Sequence, residues 1–116
     1  MTIQRFETGP RMSQVVVHDK TVYLAGVVAG KTAGESVTKQ TQEILAIIDG
    51  HLAKAGTDKS KLLTAQVWLS DMRLFETHNM AWNEWVDREN PPVRACVRAD
   101  LVRPGLLVEI MVTAAR

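Results

Sequence analysis

The sequence predicts an α+β fold in which one mixed sheet of about six strands carries two helices on one face. Short apolar runs that alternate with polar residues lie near both ends of the chain, whereas two central segments have helical periodicity. Single strands separate the helices, which gives the element order β-β-β-α-β-α-β-β. The length of 116 residues corresponds to one domain over residues 1–116.

The first quarter of the chain predicts three strands. Residues 2–7 form a short first strand that ends at a Gly-Pro turn. The apolar runs 13–19 and 21–28 flank an Asp-Lys pair, which favours a hairpin, although Asp-Lys is a weaker turn signal than Asp-Gly. A glycine-rich loop over residues 30–34 follows.

Residues 37–55 predict the first helix. Ser36 is a suitable N-cap, and Gly56 stands where a left-handed residue closes a helix. A stripe at helical spacing indicates that one face of the helix packs against the sheet. The stripe comprises Thr41, Ile44, Leu45, Ile47, Ile48 and Leu52.

Alternation returns in residues 61–70, and a second helix follows. Asp71 is predicted to cap this helix, which runs to about Val86 and ends before the proline pair at 91–92. The strand residues predicted to point into the core are Leu63, Ala65, Val67 and Leu69. The inner stripe of the second helix comprises Leu74, His78, Ala81, Trp82 and Trp85.

Residues 91–116 predict two strands joined as a hairpin by a turn near residue 102. The hairpin would set Cys96 across from Glu109, with Arg94 one diagonal step away on the same face. That face would point away from the helices. The residues predicted to cover the helices are Val93, Ala95, Val97 and Ala99 in one strand, and Leu106, Val108, Ile110 and Val112 in the other.

Two interpretations of Arg94 and Glu109 stay open at this point. Their predicted face also carries Trp68, Leu107 and Met111, which favours burial against a partner. There an arginine would bind a carboxylate through two hydrogen bonds, and a glutamate would orient or deprotonate a water. Alternatively, the two residues form a cross-strand salt bridge at a subunit interface.

Several segments resemble the Rid (RidA/YjgF) family of reactive intermediate deaminases. PPVRACVRADLVRPGLLVEIMVTAAR resembles the family's C-terminal signature, and the fifteen-residue step from Arg94 to Glu109 matches it. GPRMSQVV, VYLAGVV and HNMAWNEW resemble other segments, so the resemblance covers nearly the whole chain. It implies a chorismate-mutase-like fold assembled as a homotrimer, in which the sheets form a central barrel and the sites lie in clefts between subunits.

The resemblance also implies a chemistry. Deaminases of this family hydrolyse the imine tautomers of enamines such as 2-aminoacrylate to 2-keto acids and ammonia, and they need no cofactor. Arg94 would bind the carboxylate of the imino acid. The backbone of Cys96 would contact the imine nitrogen or the attacking water, and Glu109 would position that water. The thiol of Cys96 is expected to be a small buried group rather than a nucleophile.

Three further positions correspond to substrate-binding residues of the family: Met12, Ala25 and Gly26. Met12 stands where the best-described deaminases have a tyrosine, and Ala25 stands where they have a serine. The loss of these two hydroxyls leaves a second hypothesis, a trimer that binds a small carboxylic acid in the same cleft without chemistry. Turnover discriminates between the two hypotheses.

Composition argues against other classes of protein. Fourteen basic and 13 acidic residues give a net charge of +1 without a basic cluster, so nucleic acid is not an expected partner and a ribonuclease is the least favoured alternative. The three histidines are far apart, so no metal site is expected. One cysteine, no secretory leader and no membrane-length apolar run predict a cytoplasmic protein without membrane contact.

Overall fold

The computed structural model describes residues 2–116, which form one sheet and two α-helices. The strands are β1 (Ile3–Thr8), β2 (Ser13–His18), β3 (Thr21–Leu24), β4 (Val27–Val28), β5 (Leu62–Leu69), β6 (Val93–Arg98) and β7 (Val108–Ala115). The helices are α1 (Val37–Lys54) and α2 (Phe75–Trp85), and single 3₁₀ turns span Lys59–Lys61 and Met72–Leu74. The predicted class, a mixed sheet with two helices, is confirmed.

The strand order of the sheet is β1-β2-β3-β7-β5-β6, and the short β4 also pairs with β7. β5 and β6 are parallel, and the other pairs are antiparallel. A parallel pair needs a crossover connection, which α2 supplies. β6 is therefore an edge strand that lies next to the helix preceding it.

The core lies between the two helices and one face of the sheet. The predicted stripe of α1 is confirmed, and Trp82 of α2 is 6% exposed. Burial of each large aliphatic side chain contributes about 1.5–3 kcal/mol. The fully buried members of the core with the largest side chains include Val15, Val17, Val22, Ile44, Ile48, Leu52, Val67, Leu69, Val108 and Ile110.

The predicted cap of α1 and the glycine that follows it are confirmed, whereas Asp71 caps the 3₁₀ turn before α2 rather than α2 itself. The Ser36 side chain accepts a hydrogen bond from the Lys39 N–H at 3.2 Å, and Gly56 has a φ of +79° beyond the end of α1. Asp71 accepts from the Arg73 N–H at 2.9 Å and begins the 3₁₀ turn that leads directly into α2. Only α1 thus begins at a side-chain cap; the N-cap residue of α2 is Leu74, whose side chain makes no capping hydrogen bond.

The start of β5 differs from the prediction. A bulge between Leu62 and Thr64 shifts the register against β7 by one residue. Leu62 therefore points into the core, and Leu63 is 46% exposed. The prediction that Leu63 belongs to the core is wrong, because an extra residue in one strand reverses the alternation before it.

The predicted hairpin of the last two strands is wrong. β6 lies on one side of β5, with Cys96 opposite Val67, and β7 lies on the other side, with Glu109 opposite Trp68. The α2 crossover carries the chain from β5 to its parallel neighbour, and residues 99–107 carry it back past β5. Strands that follow one another in the sequence are thus separated by a third strand.

The two faces of β6 are also the reverse of the prediction. Arg94 and Cys96 lie on the face of the sheet that packs against the helices, because their partners on β5 are the core residues Ala65 and Val67. Val93 is 70% exposed on the opposite face of the sheet, which we call the open face. Alternation was predicted correctly, but each set of side chains was assigned to the wrong side.

Gln40 fixes the segment that leads into β7. Its side chain is fully buried in α1; Nε2 donates to the carbonyl oxygens of Gly105 at 2.8 Å and Glu35 at 3.1 Å. Its Oε1 accepts from the Leu107 N–H at 2.9 Å. One side-chain amide thus satisfies three backbone groups of two loops. These hydrogen bonds hold the segment that leads into β7 and thereby help to position Glu109 on that strand.

Candidate active site

The guanidinium of Arg94 lies against one face of α2. Its Nη2 donates to Asn79 Oδ1 at 2.9 Å, and its Cζ lies 5.2 Å from the ring centroid of Trp82 and 5.9 Å from that of Phe75. We call Phe75, His78, Asn79 and Trp82 the arginine pocket. The two rings hold the cation without neutralising it, so it keeps its capacity to bind a carboxylate.

The arginine pocket follows from spacing within α2. Its four residues lie at i, i+3, i+4 and i+7, which places them on one face of the helix. Helical periodicity placed His78 and Trp82 on the inner stripe, but it connected neither Phe75 nor Asn79 with Arg94. The spacing was visible in the sequence; the position of β6 above it was not, because that position depends on strand pairing.

Cys96 presents its backbone to the free edge of the sheet. The Ala99 N–H donates to Leu69 O of β5 at 3.0 Å, and N–H groups alternate between the two sides of a strand. The N–H of Cys96, three residues earlier, therefore points away from β5. Its side chain packs against the core, and burial raises the pKa of the thiol although the Arg94 charge opposes the shift. A protonated, half-buried thiol is a poor nucleophile.

Glu109 lies on the open face, beside Trp68 of β5 and Val28 of β4. Burial raises the pKa of its carboxyl group. The carboxyl group also lies directly over Gly26: a Cβ on that glycine would overlap Glu109 Oε2 and lie 3.1 Å from its Cδ. A glycine is needed there so that the carboxyl group can occupy its position.

Arg94 and Glu109 do not meet within one chain. Arg94 projects towards α2, whereas Glu109 projects from the open face, and β5 separates their strands. The predicted proximity on one face of a hairpin is wrong for the single chain. A salt bridge between the two residues within one hairpin is excluded for the same reason.

Ala25 directly precedes Gly26, over which the carboxyl group of Glu109 lies, and Met12 lies in a separate loop. Met12 is 46% exposed in the loop between β1 and β2. Ala25 and Gly26 interrupt the predicted strand 21–28, and the Ala25 N–H donates to Gln14 O at 2.9 Å. The loop around Met12 borders a groove of about 480 Å³.

The open face carries apolar side chains that none of residues 2–116 covers. A hollow of about 350 Å³ runs over β5, β6 and β7. Apolar residues exposed together on a sheet face mark an interaction surface. They include Tyr23 (46% exposed), Val93 (70%), Val97 (46%) and Met111 (39%).

Within residues 2–116 no group of three or more histidine, cysteine, aspartate or glutamate side chains is placed to hold a metal ion. The three histidines lie on β2, α1 and α2, and His78 is fully buried. Neither helix of the described chain has the length and apolar character needed to cross a bilayer.

The fold is that of a known class of small α+β proteins. A YjgF-family protein from Neisseria meningitidis superposes with a TM-score of 0.96 at 39% identity, covering 100% of this chain and 96% of that one. A Rid-family protein from Yersinia pestis has the same fold, with a TM-score of 0.91 at 24% identity, over 99% of this chain and 100% of that one.

Sequence comparison agrees with the structural comparison. Residues 2–116 match the family described as endoribonuclease L-PSP. A RutC family protein from Haemophilus influenzae is 46% identical over 98% of both chains, and a bovine 2-iminobutanoate/2-iminopropanoate deaminase is 28% identical over 84% of this chain and 74% of its own. The chain belongs to the endoribonuclease L-PSP family with its RutC and YjgF members, and the predicted Rid resemblance is confirmed.

Proposed function

We propose that this protein hydrolyses 2-imino acids of the 2-aminoacrylate type to 2-keto acids and ammonia, in a homotrimer with its sites between subunits. The arginine pocket carries the proposal: a partly exposed guanidinium is held by Asn79 and two rings, beside the unpaired edge of β6. The bovine relative named as an imine deaminase supports the same chemistry.

The reaction needs little from the protein. Water adds across the C=N bond to give a carbinolamine, and one proton of the water ends on the nitrogen. The hydroxyl proton then also moves to the nitrogen as the C=O bond forms, the C–N bond breaks and ammonia leaves, so no oxidant or reductant takes part. Arg94 binds the carboxylate, and the backbone of Cys96 contacts the imine nitrogen or the water. Glu109, whose pKa is raised by burial, orients the water and accepts its proton. Proximity and orientation supply most of the acceleration, since an imine is already electrophilic.

The separation of Arg94 from Glu109 supports a site shared between two copies. A sheet stands between them in one chain, so a substrate that touches both residues must lie between the edge strand of one copy and the open face of the next. The exposed apolar residues of the open face provide a surface for that contact.

The test is the release of ammonia and keto acid from imines generated in situ by an amino-acid oxidase, across several amino acids. Arg98, exposed on the same face of β6, provides the matched control for Arg94. We expect acceleration by the wild type, a loss of about 100-fold in kcat/KM for Arg94→Ala, and a near-unchanged Arg98→Ala. A folded wild type that accelerates no imine would overturn the proposed function.

A ligand-binding trimer without turnover is the second candidate. Met12 and Ala25 favour it, because neither side chain offers a hydroxyl to the substrate. Calorimetry with 2-oxobutanoate, the keto-acid product, tests it: binding that Arg94→Ala abolishes, in a protein without imine hydrolysis, would establish this function instead.

A further inference from the structure

Two buried nitrogen atoms in the arginine pocket have no hydrogen-bond partner. Among the buried side-chain nitrogen and oxygen atoms of residues 2–116, only His78 Nε2 and Arg94 Nη1 are unsatisfied. An unsatisfied buried polar atom costs about 1–3 kcal/mol, so such atoms are rare without a function. Because both atoms lie in the arginine pocket, one hydrogen-bonded link between them would satisfy both.

The chemistry of the two atoms is complementary. Arg94 Nη1 can only donate a hydrogen bond, and because it is closed to solvent its acceptor must lie inside the protein. A neutral imidazole has one donor and one acceptor nitrogen. His78 is neutral, since burial and the nearby charge of Arg94 lower its pKa to about 4. It therefore has an acceptor nitrogen to offer.

The partner of the other ring nitrogen determines which nitrogen is the acceptor. His78 Nδ1 lies 3.0 Å from the hydroxyl oxygen of Thr41, which can accept or donate. When Nδ1 carries the proton and donates to Thr41, Nε2 has the free lone pair. The positive charge of Arg94 favours this tautomer, because a lone pair rather than an N–H group is then available to the guanidinium.

We propose that His78 is a positioning residue for Arg94: as the Nδ1–H tautomer held by Thr41, it accepts a hydrogen bond from a bridging water to which Arg94 Nη1 donates, since the two nitrogens make no direct hydrogen bond. Asn79, the next residue of α2, already accepts from Nη2 at 2.9 Å. Consecutive residues of one helix thus hold both terminal nitrogens, and the remaining edge of the guanidinium is directed at the carboxylate. The effect on ligands rests on the proposed carboxylate-binding role of Arg94.

The first experiment needs neither ligand nor turnover. Long-range ¹H–¹⁵N correlation spectra of the full-length protein at neutral pH distinguish the two tautomers of the His78 ring. Protonation at Nδ1 with an unprotonated, hydrogen-bonded Nε2 is the expected result. A proton on Nε2 would overturn the proposal whether or not the protein is a deaminase.

The second experiment compares two substitutions that each keep half of the imidazole. The amide oxygen of His78→Gln reaches roughly the place of Nε2, whereas His78→Asn keeps only a group near Nδ1, facing Thr41. We expect His78→Asn to weaken 2-oxobutanoate binding about tenfold and His78→Gln to stay within about threefold of the wild type. In the hydrolysis assay, His78→Asn should raise KM and leave kcat nearly unchanged.

A purely structural role of His78 predicts a different pattern. Both substitutions would then lower the midpoint of thermal unfolding and leave the dissociation constant of 2-oxobutanoate unchanged, or change it equally. Either result would contradict the proposal. If Arg94→Ala leaves 2-oxobutanoate binding intact, the carboxylate role of Arg94 fails, and the tautomer spectra still decide the position of the imidazole proton.

Discussion

Arg94 and Glu109, fifteen residues apart in the sequence, project from opposite faces of the same sheet, with β5 between their strands. Arg94 contacts α2, and Glu109 lies over Gly26 on the open face. A hairpin would have placed them side by side. Under the proposed function, one chain therefore contributes Arg94 to one site and Glu109 to another, and the first prediction tests this.

Mixed trimers of two inactive variants should recover activity. Arg94→Ala and Glu109→Ala each remove one half of every site, but co-refolding them in equal amounts leaves about one quarter of the interfaces with both residues intact. We expect about one quarter of the wild-type kcat per site in the hydrolysis assay. Co-refolding Arg94→Ala with the double variant is the control and should stay inactive. Without recovery in trimers that demonstrably mix, a site shared between copies is ruled out.

Gly26→Ala should impair the site without unfolding the protein. The added Cβ would overlap Glu109 Oε2, so the carboxyl group must leave its position. We expect a fall in kcat of about tenfold or more. Gly50→Ala is the matched control, because nothing lies within 4 Å of its Cβ; in α1 it should stabilise the protein by about 0.5–1 kcal/mol. Wild-type kcat in Gly26→Ala would show that the position of Glu109 is not critical.

The buried histidine makes stability depend on pH. The pKa of His78 falls from 6.5 to about 4 on folding, so between these values the unfolded chain binds more protons. The free energy of unfolding should therefore fall by about 3 kcal/mol as the pH drops through this window, and the contribution should level off below pH 4.

Urea unfolding of the wild type and of His78→Met at several pH values isolates this contribution. The carboxyl groups whose pKa values are lowered in the folded protein, such as Glu43 and Asp71, are present in both proteins and cancel in the difference. The stability of His78→Met should depend less steeply on pH between 4 and 6.5. Parallel curves for the two proteins would show that His78 is not neutral when folded.

Gln40 should be far more sensitive to substitution than its neighbour Gln42. Gln40→Leu leaves the carbonyl groups of Gly105 and Glu35 and the N–H of Leu107 without their partner, which we expect to cost about 2–4 kcal/mol in the free energy of unfolding. Gln42 is exposed on the same helix, and Gln42→Leu should change the free energy of unfolding by less than about 0.5 kcal/mol. Equal effects in denaturant titrations would mean that the amide of Gln40 is not the anchor of this segment.

Features that depend on neighbouring residues were predicted well. The stripe of α1, the Ser36 cap and the glycine that follows the helix all follow from local spacing and backbone preference. Arg94 and Glu109 were singled out by strand alternation, and their roles were taken from a resemblance in sequence. Their roles remain proposals, and so does the trimer.

The sequence by itself determined the two helices, the approximate position of most strands, and the family to which the chain belongs. Only the tertiary structure decided that β6 pairs with β5 rather than β7, and hence that Arg94 faces α2 while Glu109 faces away. Alternation divides a strand into two sets of side chains but does not say which set meets the helices. On an edge strand such as β6 that choice depends on a crossover through α2, which local periodicity does not record.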